Sequence, residues 1–293
     1  MSRKKILWLC SWYPSETDPF NGDFIQRHAK AASLYNDIYV IHVATDTTGK
    51  IKKKIIENKR EGGLTEHIIS FKKTSSAWGR FIAHYRLLFH YRNAIRKYLR
   101  SNGKPDLVHV HIPIKAGLFG LWLKRRNGIP YVVTEHWGIY NEVEELNYVS
   151  RSKVFKYYTK AIISKAVKFI SVSKYLGEGV NRLVAKKEYE IIPNVADTDL
   201  FYYKSKETVL FRFIHVSNMV PLKNAEGILR AFKLFNGGNK NAELIMVGNT
   251  NQSISRYAEE LGLDTTVQFR GEISYSQVAK EMQTADCMVL FSN

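Results

Sequence analysis

Cysteine is nearly absent. Of 293 residues only Cys10 and Cys287 carry a thiol. They sit in two apolar runs far apart in sequence, which argues against a disulfide framework and for a reducing, cytoplasmic setting. No apolar run approaches the roughly 20 residues needed to span a bilayer. The opening Met1-Ser-Arg-Lys-Lys before Ile6–Cys10 has a signal peptide's charge. Its apolar part is too short, Pro14 and acidic residues follow at once, and it reads as a first buried strand. Acidic residues are scarce as well, 27 Asp and Glu against 44 Lys and Arg, a formal net charge of +17. That balance favours an anionic partner (nucleotide, nucleic acid or membrane surface), although solubility alone also accounts for it. Internal repeats and low-complexity tracts are missing too.

What is present is alternation. An apolar content of 45% is that of a globular chain, and the length suffices for two cores. Ile6–Ser11 predicts a strand, Asp23–Leu34 a helix and Ile38–Val43 a strand. Short polar strands over 51–73 and a long helix over Ala77–Arg100 come next. Strands at Leu107–Val110, Tyr131–Thr134, Lys168–Val172 and Glu190–Ile192 then alternate with helices at Ile114–Arg126, Val154–Lys165 and Lys174–Leu183. Beyond the connector Pro193–Lys206 the pattern restarts. Strands at Leu210–Val216, Ala242–Val247, Val267–Phe269 and Cys287–Phe291 alternate with helices at Ala225–Phe235, Ser253–Leu261 and Tyr275–Gln283. Such βα order predicts α/β architecture: two doubly wound, mostly parallel domains, residues 1–200 and 201–293, facing a cleft that both sheets meet at their carboxyl ends. The second is short and reads as incomplete.

The most informative stretch is Phe213-Ile-His-Val-Ser-Asn-Met-Val-Pro-Leu-Lys-Asn-Ala-Glu-Gly. An apolar strand breaks into a polar turn, and a helix resumes at Lys223. Unpaired N–H groups at a helix start suit a phosphate. A lysine there opposes the helix dipole, which favours an anionic ligand. Upstream lies Ile191-Ile-Pro-Asn-Val-Ala-Asp-Thr-Asp-Leu-Phe201. Together these segments resemble the hinge and second-domain entry of retaining GT-B glycosyltransferases of family four (glycosyl transferases group 1).

The resemblance implies sites. Gly22, in the loop after the first strand, allows a tight turn and close approach, and in the family a glycine here lies near the donor phosphates. A plain turn glycine is the other reading. His136, at the carboxyl end of Tyr131–Thr134, matches a histidine that contacts the transferred sugar or acceptor. His109 and His111 alternate on one strand and so share a face; they read as structural or cleft-lining, because no further metal ligands stand at suitable spacing. Glu135 and His136, being adjacent, point to opposite faces and do not form a dyad. Ser217 and Asn218 occupy the family's Gly-Arg positions and Lys223 its lysine, the groups that neutralise the leaving diphosphate. Asn218 keeps hydrogen-bonding power and lacks the charge. Gly248 ends a strand. Gly271, Glu272 and Ile273 match the segment that contacts the nucleotide base.

Residues 50–104 hold 15 Lys or Arg against three Glu and no Asp. Aromatics interleave with the cations at helical spacing between Trp78 and Tyr98. A basic helix of that kind fits an anionic membrane surface; a core helix with a solvated basic face fits equally well. No nucleic-acid-binding module is evident.

The resemblance thus implies transfer of a hexose from a nucleotide-sugar donor to a glycan or lipid-linked acceptor, with retention, in surface polysaccharide synthesis. The nucleotide-sugar is a substrate; no cofactor and no metal is expected. The family's paired glutamates would follow Ser292, so the resemblance also implies a chain cut within its donor domain. A catalytically inactive glycan- or membrane-binding module is the alternative.

Overall fold

The computed structural model describes residues 2–46, 49, 51–72, 77–141, 147–205, 210–237 and 241–292. Lys50 and Lys73 of the basic region and Lys206 of the connector lie outside the described residues. The chain divides into two compact units, Met1–Val195 and Ala196–Asn293, a division a few residues ahead of the boundary read from sequence.

The first unit runs β1 (Lys5–Cys10), α1 (Asp23–Ser33), β2 (Asp37–Asp46), β3 (Lys54–Glu61), β4 (Leu64–Lys72), α2 (Ala77–Asn102), β5 (Leu107–His111), α3 (Gly117–Asn127), β6 (Tyr131–Glu135), α4 (Lys153–Lys165), β7 (Lys168–Ser171), α5 (Lys174–Leu183) and β8 (Tyr189–Ile191). Its eight strands lie in the order β3-β4-β2-β1-β5-β6-β7-β8. Every pairing is parallel except the β3–β4 hairpin. Of the short, polar strands expected over 51–73, β3 is an eight-residue, mostly exposed antiparallel edge, whereas β4 is nine residues long, largely buried and parallel to β2, a common mixed arrangement.

Alternation along β1 shows why the sheet is sandwiched. Leu7 and Leu9 join a core with Leu87, Tyr91 and Ile95 of α2, Leu123 of α3 and Ile162 of α4. Trp8 and Cys10 point the other way, into a second core with Ile25 and Ala29 of α1. Neighbouring strand residues face opposite sides of the sheet. Each fully buried leucine contributes roughly 1.5–3 kcal/mol by leaving water. The helices have local start signals: the Ser152 hydroxyl accepts the Phe155 N–H at α4 and Ser173 that of Leu176 at α5. α3 starts at Gly117, three residues later than its apolar pattern predicts, because Ile112–Ala116 is spent on a strained loop described below.

The second unit runs β9 (Phe211–Val216), α6 (Ala225–Asn236), β10 (Ala242–Val247), α7 (Gln252–Glu260), β11 (Val267–Gly271), α8 (Tyr275–Gln283) and β12 (Cys287–Met288). Its four strands are parallel, in the order β11-β10-β9-β12. α6 and α7 pack on one face, through Leu229, Phe232 and Ile254. α8 packs on the other, where Val278 and Met282 meet Ile214, Ile245 and Val247. The strand expected over Cys287–Phe291 is only two residues long, with Cys287 exposed. It pairs with β9 alone at the sheet edge, so it lacks the burial on both sides that a longer central strand would have.

In both units the winding reverses beside the first strand, between β1 and β5 and between β9 and β12. Open α/β sheets bind ligands at such switch points, beyond the carboxyl ends of the strands.

Candidate active site

At the carboxyl edge of the first sheet, three loops leave β1, β5 and β6. The Ser11 hydroxyl ties two of them together. It reaches the carbonyl of Ile112 at 2.9 Å and that of Ile114, and it accepts the Ala116 N–H at 3.1 Å. The bridged segment is strained: Ile112 and Lys115 have φ of 63° and 79°, a left-handed backbone that bulky side chains rarely adopt. Lys115 is exposed on this edge, and its charge helps depress the buried imidazole of His42. Sequence reasoning did not single out Lys115; its position depends on a loop conformation that no local pattern announces.

Gly22 caps α1 with φ of 68° and ψ of 27°. A Cβ here would stand 2.8 Å from the Trp12 carbonyl carbon and 2.9 Å from the Tyr13 nitrogen. The close approach it permits is thus to its own loop, which folds back over the start of the helix.

His136 follows β6 and turns back across the sheet edge. Its Nε2 lies 3.2 Å from His111 Nδ1. His109 and His111 share a face, with ring centroids 4.1 Å apart. Trp8 lies 4.1 Å from His111, and Phe24 of α1 lies 5.0 Å from His136. His28 and the Asn194 amide complete the cluster, at 3.3 Å from each other. The imidazoles stack rather than converge. Among the described residues no group of three or more His, Cys, Asp or Glu is placed to hold a metal ion. Burial drives His109 and His136 down to about 3, with the neighbouring His28 adding to it; His111 falls well below its usual value for the same reasons. These rings are neutral at physiological pH and act as hydrogen-bonding groups.

Glu135 holds His136 through the backbone. Its side chain is fully buried. Oε1 accepts the N–H groups of His136 and Trp137, both at 2.9 Å, and Oε2 accepts the Tyr140 hydroxyl at 2.8 Å. Burial raises its pKa to about 7 against the opposing pull of those three donors. Alternation sends the two side chains apart, yet the carboxylate fixes the loop that carries the histidine. Sequence reasoning set Glu135 aside; a lone buried acid before a strand-end histidine was the available signal.

The second sheet presents its own carboxyl edge. The turns after β9, β10 and β11 bring Ser217, Gly248 and Gly271 together. Ser217 N–H donates to Val247 O at 3.0 Å and Gly248 N–H to Gly271 O at 2.9 Å. Gly248 has φ of 132° and Gly271 has φ of 67°. The Ser217 hydroxyl is committed inward: it lies 2.7 Å from Nε2 of buried His215 and accepts the Met219 N–H at 3.0 Å. His215 Nδ1 lies 2.9 Å from the Val289 carbonyl, so it carries the proton. His215 was missed from sequence, where it reads as one alternating position of an apolar strand.

Lys223 closes a short 3-10 turn, Pro221–Lys223, and α6 begins two residues later with Asn224 as its cap. The sequence reading put the lysine at the helix start itself. Asn224 takes that place because its short amide tolerates a left-handed backbone, φ 45°, and accepts the Gly227 N–H at 3.1 Å. Lys223 is half-buried and its charge contributes, after burial, to lowering the pKa of His215. Asn218 and Glu272 are exposed. Ile273 instead packs against Ile214, Ile245 and Val247, so its side chain belongs to the core.

Comparisons with known proteins agree with this architecture. Residues 25–200 match the family model described as Glycosyltransferase Family 4, and residues 204–293 that of Glycosyl transferases group 1. No curated protein matches the chain. Among solved structures, sucrose-phosphate synthase from Thermosynechococcus elongatus superposes with a TM-score of 0.71 at 16% identity, over 99% of this chain and 76% of its own. Anabaena HepE in complex with UDP and glucose gives 0.63 at 15%, over 99% and 74%. WaaG, a glycosyltransferase involved in lipopolysaccharide biosynthesis, gives 0.60 at 13%, over 98% and 75%. At these identities the likeness speaks for the fold, and the two family matches span nearly the whole chain: it belongs to the group 1 glycosyltransferases of GT-B fold.

Proposed function

We propose that the chain transfers a hexose from a nucleoside diphosphate sugar to a glycan or lipid-linked acceptor, with retention at the anomeric carbon. Lys223 takes the diphosphate as a point charge, with the exposed Asn218 amide as a second donor. The turns at Gly248 and Gly271–Ile273 offer backbone to the nucleotide. His136, held by Glu135 and neutral, orients the reacting sugar or acceptor. No protein nucleophile is required. The diphosphate leaves with its charge stabilised, the acceptor oxygen bonds to the anomeric carbon on the face it vacates, and the acceptor's proton passes to a diphosphate oxygen. Catalysis is then positioning and electrostatic stabilisation. The process served is surface polysaccharide synthesis at the cytoplasmic face of a membrane. WaaG, named for lipopolysaccharide biosynthesis, and HepE, held with UDP and glucose, support that class of partner.

One observation carries the assignment. Lys223 stands on the switch-point turn of the second sheet, with its charge felt by His215 at the strand end. Calorimetric titration with UDP, ADP and GDP tests it. Lys223→Ala is expected to weaken binding of the preferred diphosphate by about tenfold or more, the worth of a hydrogen bond to a charged group. Unchanged affinity, or no binding of any of the three, sinks the assignment. The anomeric coupling of the product by NMR checks retention.

A further inference from the structure

Helices α2, α3 and α4 lie side by side on one face of the first sheet, all buried into the same core. Over 26, 11 and 13 residues they carry six, three and four Lys or Arg and not one Asp or Glu. Each of the other α-helices among the described residues has an acidic residue: Asp23 in α1, Glu178 in α5, Glu226 in α6, Glu259 and Glu260 in α7, Glu281 in α8. Among the α-helices the one-sided charge is thus confined to this layer. Exposed cations such as Arg92, Arg96, Arg125, Arg126, Lys153 and Lys160 lie on the outward side of this layer.

The same surface is apolar in patches. Phe81, Tyr85 and Phe89 follow one another at four-residue spacing along α2 and are 70%, 66% and 51% exposed, while their opposite side buries Leu87 and Tyr91. Ile82 on α2 and Val154 and Tyr157 on α4 are exposed as well. Between α2 and α3 an apolar groove of about 430 Å³ is lined by Tyr85, Leu88, Phe89, Leu118 and Trp122, with Arg92 in its wall. Aromatic rings beside cations suit the headgroup level of a bilayer, where the rings enter the acyl boundary and the cations stay with the phosphates. The exposed aliphatics and the groove fit hydrocarbon; the phosphate backbone of a nucleic acid offers them nothing.

We infer that the outer face of α2, α3 and α4 docks on an anionic phospholipid bilayer, with Phe81, Tyr85 and Phe89 inserted and the exposed cations Arg92, Arg96, Arg125, Arg126, Lys153 and Lys160 on the headgroups. The inference rests on charge and exposure in the first unit and stands whether or not sugar transfer is confirmed.

Sedimentation of the full chain with vesicles tests it. Vesicles of phosphatidylcholine with phosphatidylglycerol are expected to retain the protein, those of phosphatidylcholine alone to leave it in solution, and added salt to release it. Arg92→Gln with Arg126→Gln should lower partitioning by about fivefold per charge. Phe81→Ser with Phe89→Ser should lower it by about tenfold. Phe81 and Arg126 are open surface, and Phe89 and Arg92 are exposed side chains that also line the groove, so melting temperatures close to the parent's are expected and serve as the check on folding. Diphosphate affinity in solution should not change, which separates this test from that of Lys223. Equal binding to both vesicle types, variants that bind like the parent, or displacement from vesicles by an oligonucleotide at matched phosphate each overturns the inference.

Discussion

The carbonyl oxygen of Ser217 lies 1.6 Å from the point where a Cβ on residue 248 would stand. Only glycine lets the turns after β9 and β10 touch, and φ of 132° at Gly248 compounds the demand. Gly271 has an open surround and needs only its left-handed backbone. Gly271→Ala is therefore expected to cost about 1 kcal/mol. Gly248→Ala must move backbone as well and is expected to cost about 3 kcal/mol or more. Urea unfolding monitored by circular dichroism compares the two. Equal costs would mean that the 217 and 248 turns can part freely.

Acid should unfold the first unit early. The folded state holds His42 at about 4, His109 and His136 at about 3 and His111 well below its usual value, all through burial first. Unfolded histidine titrates near 6.5. Below that pH the unfolded chain binds protons that the folded one refuses, so stability present above pH 6.5 is lost as pH falls towards 4. Glu135 works in reverse. Its folded pKa of about 7 favours the folded state below the unfolded value near 4.5 and loses that contribution as pH rises through 7. It offsets one histidine, leaving a net loss of roughly three histidines' worth, on the order of 4 kcal/mol per pH unit between 6 and 5. The denaturation midpoint against pH measures this. A flat profile from pH 7 to 5 would show the stack to be solvated.

What the sequence makes legible depends on what each feature needs. The βα alternation needs only local patterns, and both doubly wound sheets follow from it. His109 and His111 share a face because period two puts them there. Lys223 lands within one turn of its expected place because Pro221 and Asn224 are local signals. Other features need strand neighbours that parallel sheets bring from far away in sequence. The hydrogen bond of His215 to Val289 exists because β12 pairs with β9, an adjacency that the order of strands along the chain does not reveal. Lys115 and Ile112 are invisible for a related reason: Ser11, about a hundred residues earlier, holds their loop. β12 is shorter than the sequence predicts: Val289, Leu290 and Phe291 read as a buried strand, whereas Leu290 and Phe291 are 57% and 60% exposed.

Glu135 should behave as a positioning residue. Removing its carboxylate in Glu135→Ala leaves two part-buried N–H groups and a buried tyrosine hydroxyl without their acceptor, at an expected cost of about 3 kcal/mol. Glu135→Gln keeps one acceptor and places an amide N–H against a donor, so a smaller loss is expected, about 1–2 kcal/mol. If His136 orients the sugar or acceptor, Glu135→Gln should also raise KM or lower kcat for transfer while diphosphate affinity stays put. A variant with unchanged stability would show that the loop at 136–140 is held by something else.

Ser217 and Lys223 sit on one turn and should separate cleanly in experiment. The serine hydroxyl donates to His215 and accepts from Met219, and its own N–H is taken by Val247. Its one O–H is spent, so the side chain has no donor left for an anionic ligand. Ser217→Ala is then expected to lower stability by about 1–3 kcal/mol, through two buried polar atoms left without a partner, and to change diphosphate affinity little at temperatures where the variant is folded. Lys223→Ala should do the opposite, since a half-buried lysine at the rim of the turn contributes little to packing. Thermal melting and calorimetric titration on both variants decide the matter. If Ser217→Ala weakens diphosphate binding as much as Lys223→Ala does, the hydroxyl must rotate outward when the ligand arrives, and the turn observed here is the resting form of a site that rearranges on binding.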